Sequence, residues 1–121
     1  MRLGLWAACF LTAMMPTAAC AMDAQSFYTS GLALKKKGPA AALISPELQP
    51  LLAEVRLATK TVKAENGKAK LSGKPLFCVP EKNAMTPDEL LTEFGRIPKP
   101  RRTKISVTQA LREILIRKYP C

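Results

Sequence analysis

Ser106-Val107-Thr108-Gln109-Ala110-Leu111-Arg112-Glu113-Ile114-Leu115-Ile116-Arg117-Lys118-Tyr119-Pro120-Cys121 closes the chain as a helix with both ends marked. Ser106 with Gln109 three residues on has the form of a capping box: the hydroxyl takes a free first-turn amide and the longer side chain reaches back. Val107, Ala110, Leu111, Ile114 and Leu115 recur at helical spacing and make one apolar side. Arg117 and Lys118 stand where the helix dipole favours cations, and Pro120 stops the helix. The last residue is a cysteine, so this helix ends on a group that can be tied covalently to the rest of the fold.

Working outward, Thr86-Pro87-Asp88-Glu89 is a second helix start. Threonine caps, proline takes the first helical position, and Glu89 completes the box. Leu90, Leu91 and Phe94 form the apolar side, and Gly95 is expected to end it. Ile97-Pro98-Lys99-Pro100 reads as a stiff linker before Arg101-Arg102. Further upstream, residues 24–37 read as a helix with Phe27, Leu32 and Leu34 in contact with the core, ended by Gly38-Pro39. Residues 40–44 read as a turn or short helix.

Ser45-Pro46 is expected to open the longest helix, with serine as cap. Leu48, Leu51, Leu52, Val55, Ala58 and Val62 share one of its faces. It is expected to fray around Asn66-Gly67 into a polar stretch ending at Ser72-Gly73-Lys74-Pro75. Leu76-Phe77-Cys78-Val79-Pro80 is extended, because proline pushes its predecessor out of helix. No run of strands, repeat or heptad series stands out. The expectation is an all-α, small single-domain bundle of about four helices with one disulfide.

That disulfide follows from compartment. Met1-Arg2, an uncharged apolar run, Pro16 and Ala19-Cys20-Ala21 have the order of a secretory leader covering residues 1–21. The chain is therefore expected to be periplasmic or secreted, with the domain at 22–121. Lipidation at Cys20 is the less favoured alternative, since Thr17 is a poor residue three positions before it. Cys9 and Cys20 leave with the leader, and the even pair Cys78 and Cys121 remains for one bridge in an oxidising compartment. Free thiols or an intermolecular bridge are the alternative.

Arg2 also leaves, so the exported chain carries 18 Lys and Arg against 9 Asp and Glu, a net +9. Such a charge suits an anionic partner such as an acidic protein, a lipid headgroup or a cell-wall polymer. It also serves plain solubility. Export argues against nucleic acid. Lys35, Lys36 and Lys37 lie in the last turn of the first helix, where the dipole alone accounts for them. Arg56, Lys60 and Lys63 line a flank of the long helix, as a solvated face or a recognition surface. With Arg101 and Arg102 these are the candidate partner-binding residues.

There is no histidine, which removes Ser-His-Asp, Cys-His and His-bearing metal sites. No C-x-x-C pair or glycine-rich phosphate loop is present. Asp88 and Glu89 are already used by the cap. An enzyme is not expected, nor a cofactor or metal.

Phe77-Cys78-Val79-Pro80, Met85-Thr86-Pro87-Asp88-Glu89-Leu90-Leu91, Val107-Thr108-Gln109-Ala110-Leu111 and the ending Tyr119-Pro120-Cys121 together resemble the Rap/Tai family, periplasmic immunity proteins of type VI secretion systems. The likeness covers residues 76–121. It implies a small exported helical fold with Cys78 and Cys121 as a structural bridge. It also implies a steric block of a peptidoglycan amidase effector. Two other readings stand beside it: a basic envelope protein binding anionic lipid or cell-wall polymer, and a small periplasmic chaperone switched by carboxylates. Oligomeric state is open, with a dimer through the long helix as one option.

Overall fold

The computed structural model describes residues 22–81 and 85–121, and the leader expected at 1–21, with Cys9 and Cys20, lies outside them. Six helices form among the described residues: α1 (Ala24–Lys37), α2 (Pro39–Leu43), α3 (Leu48–Leu71), α4 (Pro87–Arg96), α5 (Lys99–Arg102) and α6 (Val107–Lys118). The chain is a small all-α domain with one disulfide. Four helices carry the bundle, and α2 and α5 are short connectors of five and four residues.

Asp23 caps α1 through Ser26, and Gly38 leaves it at φ +87°, a conformation that L side chains rarely adopt. Ala24, Phe27, Gly31 and Leu34 are its buried face. Leu32, expected among the contacts, is 36% exposed, because it falls off the arc those four define. Tyr28 packs against the core instead. The starts of α1 and α6 are laced together by Ala24 N–H to the Ile105 carbonyl (2.9 Å) and Val107 N–H to the Met22 carbonyl (3.1 Å).

Two stretches depart from the local signals. Ser45 does not cap α3: the helix starts at Leu48, and the Ser45 hydroxyl is held by Glu47 and Lys37. At its far end α3 continues through Asn66-Gly67 to Leu71. Its buried residues Leu51, Ala58 and Val62 lie on the face that packs against α6, the most extensive helix pairing in the molecule. Tertiary packing of that face outweighs the roughly 1 kcal/mol cost of one glycine.

α4 has both halves of the Thr86–Glu89 capping box. Gly95 does not end it, since the helix runs to Arg96. Instead, a side chain at Gly95 would sit 2.8 Å from the Tyr28 hydroxyl, so the glycine admits Tyr28 of α1. The expected linker after Ile97 is α5, with Pro98 at its cap. Ile97 itself is only 2% exposed, which anchors the start of this segment to the core. The core is Phe27 against Phe94, ring centroids 4.8 Å apart, with Val62, Val107, Ala110 and Ile114 completing it. At α6, Ser106 caps by receiving the Gln109 amide (3.1 Å), one half of the expected box.

Candidate functional site

Residues 76–80 make no regular structure, yet they are held from three sides. Cys78 and Cys121 form a disulfide across a sequence separation of 43 residues. Cys78 N–H donates to the Tyr119 carbonyl at 2.8 Å. On the opposite side, the Asn66 side-chain oxygen accepts from Leu76 N–H (2.7 Å) and Phe77 N–H (3.2 Å), while its amide donates to the Phe77 carbonyl (3.0 Å). Phe77 is driven into the core at 3% exposure. Cys78, Val79 and Pro80 all remain on the surface. This stretch, clamped at Leu76, Phe77 and Cys78 and called the ridge below, exposes apolar surface at Leu76 and Val79. Asn66 was legible only as a breaker. Its mid-helix position, 10 and 11 residues before the groups it grips, gives no local signal.

The basic residues separate into two groups. Arg102 is a structural residue. The residue is 8% exposed, and its guanidinium donates to the carbonyls of Phe94 (3.3 Å), Gly95 (3.1 Å) and Ile97 (2.7 Å) and to Gln25 (2.7 Å). It also lies 4.4 Å over the Tyr28 ring. At the end of α4 the Phe94 carbonyl also receives the Ile97 amide, and Arg102 caps it together with the Gly95 and Ile97 carbonyls while pinning α1. Arg101 forks onto Glu113 of α6, which raises its pKa through hydrogen bonding and charge. Lys35 pairs with Asp88 and Lys37 with Glu47, whose carboxyl is held below its ordinary value by Ser45 and then Lys37.

Arg56, Lys60 and Lys63 of α3 and Lys36 of α1 are exposed, and among the described residues none has a carboxylate within ion-pair distance. The eight candidate cations therefore do not form one field. Sequence reasoning missed Lys68, Lys70 and Lys74, which are also exposed and extend the unpaired group along α3 and the turn after it. Lysines at fixed helical spacing were the signal that could have found Lys70.

The carboxylates are spent elsewhere. Glu93, 6% exposed, receives Arg117 at 2.7 Å with Arg96 and Lys118 nearby, which locks α4 to α6. Glu65 is gripped by Arg112 at 2.7 and 2.8 Å, and that hydrogen bonding lowers its pKa. A shallow open depression runs along α1, with Tyr28, Thr29, Lys35 and Lys36 among the residues that line it. Among the described residues no cluster of His, Cys, Asp and Glu is placed to hold a metal ion, and no helix is long and apolar enough to cross a membrane. Comparison with family models, curated proteins and solved structures finds no match.

Proposed function

We propose that the protein is a steric inhibitor that binds another protein through the clamped ridge at residues 76–80. The observation that carries this reading is an irregular, solvent-facing segment fixed by a disulfide, four backbone-directed hydrogen bonds and a buried phenylalanine. Ordering a loop before binding removes much of the entropic cost of association, so a segment of this kind suits a plug for a cleft. Leu76 and Val79 supply apolar contact, and the disulfide keeps the ridge from collapsing into an enzyme site.

The resemblance of residues 76–121 to the Rap/Tai family names the partner class: a peptidoglycan amidase effector delivered to the periplasm. The ridge contains the Cys-x-Pro half of that resemblance, and Cys121 is the other half. The test asks first whether a peptidoglycan amidase is encoded beside this gene, and then measures cell-wall hydrolysis by that purified enzyme with the chain from residue 22 added in equimolar amount. Hydrolysis should stop, and Val79→Glu should restore most of it while leaving the far-ultraviolet spectrum unchanged. Undiminished hydrolysis in the presence of the parent protein would refute the reading.

A further inference from the structure

The ion pairs leave most of the unpaired positive charge on one element. Among the described residues, the carboxylate–cation pairs lie within or between α1, α4, α5 and α6, apart from Lys37 with Glu47 just ahead of α3 and Glu65 on the inner flank of α3 with Arg112 of α6. Of the described cations without such a pair, six (Arg56, Lys60, Lys63, Lys68, Lys70 and Lys74) lie on α3 or in its exit turn. At 3.6 residues per turn, Arg56, Lys60, Lys63 and Lys70 fall within an arc of about 80° and extend about 21 Å along the axis. That arc is opposite the face buried by Leu51, Ala58 and Val62. Leu57, 55% exposed, and Leu71, 91% exposed, run beside it.

The geometry points to this outward face of α3 as a docking surface for an anionic phospholipid bilayer. Five of the six cations are lysines, which offer point charges rather than the planar fork that arginine uses for bidentate pairing. Lysine is depleted at protein–protein interfaces, whereas lysine-rich segments are attracted to anionic headgroups. Cations along one arc of a single helix can meet a flat surface together. Leu57 and Leu71 lie where apolar side chains enter the headgroup layer. The proposal does not rest on the inhibitory role given to the ridge at 76–80, and its test needs no protein partner.

The experiment is co-sedimentation of the chain from residue 22, which holds the whole described core and the disulfide, with vesicles of equimolar phosphatidylglycerol and phosphatidylcholine, and with pure phosphatidylcholine vesicles. Binding should require phosphatidylglycerol and fall steeply with salt. Arg56→Gln with Lys60→Gln and Lys63→Gln should weaken partitioning by about 100-fold, the effect of three cations near the surface. Lys36→Gln with Lys99→Gln and Lys104→Gln should change it by no more than a few-fold. All six positions are exposed, and unchanged circular dichroism checks that the variants fold. Equal loss in both triple variants would mean undirected net charge and overturn the proposal. So would binding to pure phosphatidylcholine. Absence of vesicle binding with tight binding to polyglutamate would assign the face to an acidic protein, also against it.

Discussion

Replacing Arg102 with alanine should destabilise the domain by about 3 kcal/mol. Four donor contacts disappear, to the Phe94, Gly95 and Ile97 carbonyls and to Gln25, together with the stacking on Tyr28. Hydrogen bonds from a charged donor are worth about 1.5–3 kcal/mol each, and the cation–π contact adds about 1 kcal/mol. These values do not add, because the variant also escapes the cost of desolvating a guanidinium and water enters the space to solvate freed carbonyls. About 3 kcal/mol is the remainder, or roughly 15 °C in Tm for a domain of this size.

The assay is urea and thermal unfolding followed by far-ultraviolet circular dichroism. Arg102→Lys separates charge from shape: it keeps the cation but not the fork, and should still lose about 2 kcal/mol. Tyr28→Leu should lose about 1 kcal/mol, and in the double variant with Arg102→Ala the losses should fall short of additive. An Arg102→Ala protein within about 0.5 kcal/mol of the parent would refute the reasoning, since a buried guanidinium that spans two helices would then be contributing nothing. If Arg102→Ala fails to fold, Arg102→Lys alone still decides: full stability in it would show that the fork is irrelevant.

Cys78→Ser with Cys121→Ser should lose about 4 kcal/mol by loop-closure entropy across 43 residues, measured by the same unfolding curves; a loss below about 1 kcal/mol would remove the clamp from the stability account. Asn66→Ala should lose about 2 kcal/mol and raise amide exchange at Leu76, Phe77 and Cys78, because it leaves backbone groups of a buried residue unpaired. Stability should fall on acidification. Glu65, held down chiefly by Arg112, and Glu89, held down chiefly by the Thr86 amide, have folded pKa values below the ordinary 4.5. The unfolded chain therefore binds protons first, and the stabilisation present above pH 4.5 is lost as pH falls through the lower folded values. Glu65→Gln should flatten that part of the urea-midpoint profile; an unchanged slope would dissociate Glu65 from acid unfolding.

Much of the helical content was legible because its signals are local. Thr86 with Glu89, Gly38-Pro39 and Pro120 act within about one turn of chain, and the structure places α1, α4 and α6 by them. The same locality misled at Gly95 and Asn66, two residues with breaker character that the fold uses for contact. One makes room for Tyr28, and the other grips the ridge. Arg102 was misplaced for a related reason. Beside Arg101 it looked like surface charge, and only the return of α5 onto α1 and α4 takes it out of water.

By itself, the sequence determined the all-α class, the apolar faces of the main helices and the two cysteines, Cys78 and Cys121, within residues 22–121. Cap hydroxyls, glycine and proline stops, and a 3.6-residue period act between neighbours, where composition and order suffice. Tertiary structure alone decided which cations are spent and which remain. Gln25 and Arg102 are 77 residues apart and Glu65 and Arg112 are 47 apart, so no local pattern distinguishes a paired arginine from a free one. It also decided that residues 76–80 form a fixed ridge, because Asn66, Tyr119 and Cys121 reach that segment only after α3 and α6 have packed together.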